Sequence, residues 1–259
     1  MPRNSRVVPG FDPDHKPVYD VPRRKKHQAI PHVVPTRKSV NRSYVRVSQP
    51  LSAELMMRLE TDPRVVLISP FPTKVECVVY DRYGPVGHKC YNPEIGVMMV
   101  DGSYVYMDVV PRAIQLERPG IARRTDALRR ACREKWGIHY AVHNELSLRI
   151  EPQWSNIQKV WRHLWVDDLK ALMAVRQVID QVGPWTTIGE VRRKAKLACP
   201  IWRTDDHDTR LDDVDRSFSA LMQLYARGHI RLDLSRPFSD DTVVSLRMKN
   251  ALTQMKGAA

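Results

Sequence analysis

Two apolar runs separated by an Asp-Gly pair form the strongest hydrophobic pattern in the middle of the chain. The runs cover residues 95–100 and 104–110, and they are rich in valine, isoleucine and tyrosine. Asp101 and Gly102 stand between them, and both residue types tolerate the positive φ of a tight hairpin turn. The pattern predicts a β-hairpin that is buried on both faces.

Two carboxylates interrupt this hairpin. Glu94 stands just before its first strand, and Asp108 lies inside its second strand. Burial of an unpaired charge is costly or shifts its pKa strongly, so both acids need partners. A metal ion bound by both carboxylates would meet that need. An ordinary hairpin, with Glu94 at its rim and Asp108 paired to an arginine, would meet it as well.

Helical and strand periods surround the hairpin on both sides. Four apolar residues between positions 51 and 59 recur at helical spacing, which predicts a helix that ends before Asp62 and Pro63. Further patterns predict strands at 65–68 and 74–80, a helix at 121–136 capped by Gly137, and a strand at 138–142. This order predicts an α/β fold with a mixed sheet flanked by helices.

The chain carries a formal net charge of +13, and basic residues are concentrated near its start. Residues 1–50 hold eleven lysines and arginines against three aspartates, a net charge of +8. Such a segment favours a polyanion, because each neutralised phosphate releases counterions; a solvated tail without a defined partner is the alternative. Residues 1–47 are predicted to form a largely disordered arm that orders on a partner. The candidate DNA contacts come from this arm and from the helix at 121–136: Arg23, Arg24, Lys25, Lys26, Arg123, Arg124 and Arg130.

The last third of the chain predicts a helical domain. Helical periods at 169–182, at 188–197 and from about 211 to 228 are followed by short strands at 230–234 and 242–246. Three helices followed by a two-stranded hairpin are typical of a winged helix. The third helix begins with Asp212, Asp213 and Asp215, which repel phosphate, so protein docking and DNA reading both stay open. A helical domain that only buttresses the first domain is a further alternative.

The predicted organisation is therefore an arm at 1–47, a first domain at 48–165, a winged-helix-like domain at 166–250 and a flexible tail at 251–259. The chain has no apolar run of the roughly 20 residues that span a membrane and no apolar leader segment, so we expect a cytoplasmic protein without a membrane partner. Its four cysteines form no CxxC motif, and no paired histidines stand at zinc-finger spacing, so we expect reduced and mostly buried thiols.

A set of short motifs in a fixed order extends from the first predicted helix to residue 157. The set consists of Leu59-Glu60-Thr61-Asp62-Pro63, Val65-Val66, Phe71-Pro72, Tyr91-Asn92-Pro93-Glu94, Asp108-Val109, Gly137-Ile138-His139-Tyr140, Asn144-Glu145 and Asn156-Ile157. An acid after a proline, a hairpin and an acid in a hydrophobic strand form the layout of the PD-(D/E)xK restriction-like nucleases. Over residues 48–165 the whole set resembles the TnsA family, the endonuclease subunits of heteromeric, Tn-seven-like transposases.

The resemblance implies a restriction-endonuclease-like domain that cleaves DNA at transposon ends. It implies that Glu94 and Asp108 hold Mg²⁺ or Mn²⁺, hard cations that prefer oxygen ligands. It also implies two protein partners, a recombinase that cuts the other strand and an AAA+ ATPase regulator that docks on this subunit. The winged-helix-like domain is implied to contact that regulator.

Two family positions carry other residues in this chain. Val110 stands where the family has a lysine, two residues after the second acid, and Arg112 or Lys135 are candidates to supply the cation. The family's helix glutamate falls at Ser52, while the candidate Glu54 lies about 200° further around the helix. Three functions stay open: an active endonuclease, a catalytically inactive TnsA-like protein that binds DNA and scaffolds partners, and an unrelated α/β protein.

Overall fold

A computed structural model of the 259-residue chain describes residues 7–22, 31–39, 42–81, 83–197 and 215–247. The chain divides into two compact units, residues 1–150 and 151–259. The candidate DNA contacts at 23–26, the aspartates at 212–213 and the predicted tail at 251–259 lie outside the described residues. Within the described ranges, no helix is long and apolar enough to cross a membrane.

The first unit holds the elements that carry the candidate site. Its elements in chain order are β1 (His32–Pro35), β2 (Tyr44–Val47), α1 (Pro50–Thr61), β3 (Val65–Pro70), β4 (Val75–Asp81), β5 (Gly84–Tyr91), β6 (Ile95–Met99), β7 (Tyr104–Val109), α2 (Arg112–Glu117), α3 (Gly120–Trp136), β8 (His139–His143) and α4 (Glu145–Leu148). The predicted end of α1 is confirmed, because Asp62 is its C-cap. Gly137 is the C-cap of α3 with a φ of 71°, the left-handed conformation that glycine adopts without strain.

A four-stranded sheet in the order β3, β6, β7, β8 forms the centre of this unit. β6 and β7 pair as an antiparallel hairpin, and β7 pairs in parallel with β8 after a crossover through α2 and α3. The predicted hairpin and mixed sheet are confirmed. The turn differs from the prediction: Gly102 has a φ of 81°, whereas Asp101 acts through its side chain, which accepts hydrogen bonds from Ser103 N (2.9 Å) and Oγ (2.7 Å).

β4 and β5 form a separate antiparallel hairpin that packs on α3. Val75 and Cys77 on one face of β4 are buried with Leu128 and Cys132 of α3 in one hydrophobic cluster. The strand predicted at 74–80 is confirmed as β4. β5 was missed, because its sequence GPVGHKCY contains two glycines and a proline, which are depleted in strands.

Parts of the predicted arm are folded onto the first unit. β1 and β2 form an antiparallel pair, and Val34, Val45 and Val47 within it are buried. Nearer the start of the chain, the hydroxyl of Tyr106 donates to the carbonyl oxygen of Pro9 at 2.8 Å. The prediction of a disordered arm is therefore wrong for the described residues of this segment. The many prolines and charges of this segment favoured the prediction of disorder, and the two short valine-rich strands were not predicted.

The segment after β1 is anchored to the C-terminal end of α1. Glu60 is 1% exposed, and its carboxylate accepts hydrogen bonds from Thr36 Oγ1 (2.6 Å) and from the Arg37 backbone N–H (2.9 Å). Lys38 Nζ donates to two carbonyl oxygens at the end of α1, at 3.1 and 2.7 Å. Burial lowers the pKa of Lys38 to about 8, although Glu60 and Asp62 act in the opposite direction. These bonds fix α1, whose other end carries the candidate site.

The described residues of the second unit form three packed helices, a short helix and a small sheet. Its elements are α5 (Gln153–Leu164), α6 (Leu169–Val182), β9 (Trp185–Thr187), α7 (Ile188–Ala195), α8 (Arg216–Ala226), β10 (Ile230–Leu232) and β11 (Val243–Leu246). The sheet is antiparallel in the order β10, β11, β9. Val160 and Leu164 of α5 are buried in one core with residues of α6 and α8. The division between the units therefore falls after Ile150 and not at the predicted 165, because α5 belongs to the second core.

Candidate functional site

The pairing of β6 with β7 brings the two acids of the hairpin together. Glu94 directly precedes β6, and Asp108 follows Met107, the residue opposite Ile95 in the register. The Glu94 backbone N–H donates to Asp108 Oδ1 at 2.7 Å. Both carboxyl groups lie at the open end of the hairpin, away from its turn, and we call them the acid pair.

The Glu94 side chain is enclosed by hydrogen-bond donors from the start of α1. Glu94 Oε1 accepts from the Ser48 backbone N–H at 3.0 Å and from Ser48 Oγ at 2.7 Å. Glu94 Oε2 accepts from Ser52 Oγ at 2.7 Å, and the residue is only 6% exposed. Ser52 therefore faces the acid pair, the place that the family resemblance gives to a helix glutamate, but it contributes a hydroxyl group and no charge.

The Asp108 side chain is held from the neighbouring parallel strand. Its Oδ1 accepts from the Glu94 backbone, and its Oδ2 accepts a short hydrogen bond from the hydroxyl of Tyr140 in β8. Tyr140 is buried at 4% exposure, and loss of its proton is disfavoured by burial and by Asp108, which together raise its pKa. Tyr140 therefore stays a donor to Asp108 over the physiological pH range.

Burial raises the pKa of both members of the acid pair. For Glu94 the hydrogen bonds from Ser48 and Ser52 act in the opposite direction, and repulsion from Asp108 adds to the rise in its pKa. For Asp108 the bonds from Tyr140 and from the Glu94 backbone, and the charge of Arg124, oppose the rise in its pKa without cancelling it. The acid pair thus binds protons more readily than free carboxylates do.

The cation of this site is Arg124 of α3. Its charge lowers the pKa of Asp108 and of Tyr140 against the larger effect of burial. Its guanidinium carbon lies 5.6 Å from the centre of the Tyr91 ring, within cation–π range. Its Nε is buried and has no hydrogen-bond partner among the described residues. The sequence marked Arg124 as a DNA contact, whereas the structure places it beside the acid pair.

Glu54, the candidate catalytic glutamate, faces away from the acid pair. Its two carboxylate oxygens accept a bidentate pair of hydrogen bonds from the Arg149 guanidinium, at 2.7 and 2.8 Å. Glu54 lies two residues after Ser52 and is therefore rotated by about 200° around α1. This rotation explains why Ser52 contacts Glu94 and Glu54 does not. The assignment of Glu54 to the site is therefore corrected in favour of Ser52.

The two cations proposed to replace the family lysine are also elsewhere. Arg112 begins α2, where its backbone N–H donates to the Glu145 carboxylate at 3.0 and 3.2 Å, and its side chain is exposed. Lys135 is exposed at the far end of α3, with Nζ at 5.9 Å from the centre of the Trp136 ring. It lies eleven residues beyond Arg124, about 16 Å along the helix axis. The cation whose charge acts on Asp108 is Arg124.

The acid pair is a poor fit to Mg²⁺ or Mn²⁺. All four carboxylate oxygens accept hydrogen bonds from protein donors, so a shared cation would have to displace these donors or use the remaining lone pairs. Ser52 stands at the position of the family's helix glutamate. Val110, which is buried at 8% exposure, stands at the position of the family's lysine. In the described part of the chain, no group of three His, Cys, Asp or Glu side chains could hold a metal ion.

A row of arginines lies on the exposed side of α3. The row, which we call the basic face of α3, consists of Arg123, Arg129, Arg130 and Arg133. Helical spacing places these four side chains within about 120° of each other. Three of them, with Glu134, line an open depression of about 390 Å³, and Asp126 pairs with Arg129 at 3.4 Å. Six basic and two acidic residues give α3 a net charge of +4, so this surface attracts anions.

Sequence reasoning missed Ser48 and Tyr140, two of the groups that enclose the acid pair. Tyr140 belongs to the motif Gly137-Ile138-His139-Tyr140, and its place in the strand after the crossover helix is the one signal that could have found it. Ser48 carries no signal, since it lies 46 residues before Glu94 in the sequence. Such donors become visible only when the sheet and α1 are assembled.

Comparison of the chain with protein-family models and with curated proteins finds no match. The resemblance to the TnsA family therefore depends on the order and spacing of the motifs given above.

Proposed function

We propose that this protein is a TnsA-like DNA-binding and scaffolding subunit of a transposition complex, in which the acid pair does not hold a catalytic metal. The observation that carries the proposal is the enclosure of Glu94 and Asp108 by Ser48, Ser52 and Tyr140 next to the basic face of α3. The enclosed acids keep the place of a nuclease site, but each of their four oxygens is engaged by a protein donor. The basic face of α3 provides a positively charged surface for DNA.

The element order supports a restriction-endonuclease-like first unit. α1 precedes β3, the hairpin of β6 and β7 follows, and α3 leads into the parallel strand β8. This is the order of helix, strands, acid-bearing hairpin, helix and strand that the resemblance implies. The register agrees as well, because the position of the family's helix glutamate faces Glu94 through Ser52 Oγ.

DNA binding is supported by the charge distribution. The formal net charge is +13, and α3 alone contributes +4. Arginines on one helical face can contact successive phosphates of a duplex, and such contacts give sequence-independent, salt-sensitive affinity. The proposed ligand is therefore double-stranded DNA, bound along the basic face of α3.

The second unit supports a role in docking a protein partner. Its order of helix, strand, two helices and two strands agrees with a winged helix. At the start of α8, Asp215 caps the helix by accepting from the Phe218 N–H at 2.8 Å, and it pairs with the guanidinium of Arg192. Among the described residues at the start of the third helix, Arg192 pairs with Asp215 and Arg216 pairs with Asp168, which favours docking of the ATPase regulator on this unit.

An active endonuclease is the second candidate function. It is favoured by the adjacency of Glu94 and Asp108, which the sheet brings together at the position of the family's two strand acids. Catalysis would require that Ser48, Ser52 and Tyr140 release the carboxylates. A cleavage assay with the partner recombinase separates the two candidates, because only the second predicts DNA breaks that disappear in Asp108→Asn.

Fluorescence anisotropy with a labelled random-sequence duplex tests the proposal. We expect binding in the presence of EDTA, with an affinity that falls about 10- to 1,000-fold between 50 and 200 mM salt as phosphate contacts are screened. Addition of Mg²⁺ is expected to weaken binding in the same way as other salts and to produce no cleavage. Absence of binding at 50 mM salt contradicts the proposal, and metal-dependent strand breaks support the endonuclease instead.

A further inference from the structure

The hairpin of β4 and β5 packs alongside α3 and carries an exposed tyrosine at its tip. Near its base, Tyr91 lies under Arg124, and near its tip Tyr80 lies under Arg130, with ring distances of 5.6 and 5.0 Å. The two arginines are six residues apart, about 9 Å along the helix axis. The hairpin therefore runs beside α3 towards the basic face, and its tip lies at that face.

The hairpin has an irregularity near its tip. Val79 pairs with Gly87 and Tyr80 pairs with Pro85, so the extra residue of this bulge belongs to β5. Tyr80, next to the bulge, contacts Arg130 of α3. The tip of the hairpin therefore lies near the basic face.

Tyr83 at the tip is 81% exposed, the largest exposed fraction among the described large apolar and aromatic side chains. It is followed by Gly84, whose φ of 126° suits glycine and lets the chain reverse directly after the ring. Pro85 next to it is also exposed. An aromatic ring is thus presented to solvent three residues after Tyr80, whose own ring contacts Arg130 of the basic face.

We propose that Tyr83 stacks on an unpaired base of DNA whose backbone lies along the basic face of α3. This inference rests on the proposed DNA-binding function and adds a preference for DNA with unpaired or unstacked bases. Cationic grooves that carry aromatic side chains bind single-stranded segments in this way, because every base has a face for stacking. In an intact duplex the bases are stacked on each other, so a base face is open for stacking only where pairing is interrupted.

Two labelled duplexes of equal length test the inference, one fully paired and one with a short central run of mismatched bases. The wild-type protein is expected to bind the mismatched duplex about 5- to 100-fold more tightly, as for one stacked base. Tyr83→Ala is expected to bind both duplexes equally, with unchanged affinity for the paired one. Tyr83→Phe keeps the ring and should keep the preference.

Tyr44→Ala is the matched control, since it removes a tyrosine that is 51% exposed on β2. It is expected to leave both affinities unchanged. If the wild-type protein binds paired DNA but Tyr83→Ala retains the preference for mismatches, the inference fails and the proposed function stands. A wild-type protein without any preference also overturns the inference. If the wild-type protein binds neither duplex, both proposals fail.

Discussion

Replacement of Arg129, Arg130 and Arg133 together by alanine is expected to weaken binding of duplex DNA about 100- to 1,000-fold at 0.1 M salt. The three exposed side chains line one depression on α3, so a bound DNA backbone can contact all of them. Each lost phosphate contact removes about 0.9 from the slope of log affinity against log salt, so the slope is expected to fall by about 2.7. Anisotropy titrations over a range of salt concentrations measure both quantities.

The matched control removes the same charge from other surfaces of the first unit. Lys16, Arg42 and Lys74 are exposed, and their joint replacement by alanine lowers the net charge equally. If the binding site is the basic face of α3, this control changes affinity by much less than the α3 variant. Equal losses in the two variants would show that affinity follows overall charge, which contradicts a site on α3.

Replacement of both members of the acid pair by their amides, Glu94→Gln with Asp108→Asn, is expected to stabilise the protein at neutral pH, by about 1.4 kcal/mol for each unit by which burial raises a pKa. Burial raises the pKa of both acids, so the folded protein binds their protons more tightly than the unfolded chain does. The wild-type free energy of unfolding must therefore fall as pH rises above the ordinary carboxylate pKa of about 4. The amide variant lacks both titrations, and the hydroxyls of Ser52 and Tyr140 can rotate to accept from its new N–H groups.

Urea denaturation at a series of pH values from acidic to neutral measures this effect. The difference between variant and wild type is expected to be small at low pH and to grow towards neutrality. Glu54→Gln is the control, because Glu54 forms a partly exposed ion pair with Arg149, and its loss should give no such gain. A wild-type protein that is more stable than the amide variant at neutral pH would mean that the ionised acid pair is stabilising.

The sequence predicted the elements whose patterns are strong and local. The hairpin of β6 and β7, the helix α1 and its end at Asp62, and the cap at Gly137 all follow from periodicity and from the conformational freedom of glycine. β5, with its glycines and proline, and the valine-rich strands β1 and β2 lack such patterns. The boundary at Ile150 was also missed. α5 has an apolar face, but its sequence does not indicate which of the two cores that face packs against.

In the candidate site, too, features set by nearby residues could be predicted, and contacts between residues far apart in the sequence could not. The acids Glu94 and Asp108 were predicted because charges stand out in apolar strands. Their partners were not, because Tyr140 is 32 residues from Asp108 and Ser48 is 46 residues from Glu94. Arg124 was recognised as a cation, but its position beside Asp108 depends on how α3 packs against the sheet.

Titration calorimetry with Mg²⁺ and with Mn²⁺ on the full chain, beside an Asp108→Ala variant, tests the central claim most directly. Because every oxygen of the acid pair accepts a protein hydrogen bond, we expect no specific uptake by the wild-type protein, either alone or with duplex DNA. Wild type and Asp108→Ala should therefore give the same heats. Saturable uptake by the wild-type protein that disappears in Asp108→Ala would contradict the account and identify the acid pair as the metal site of an endonuclease.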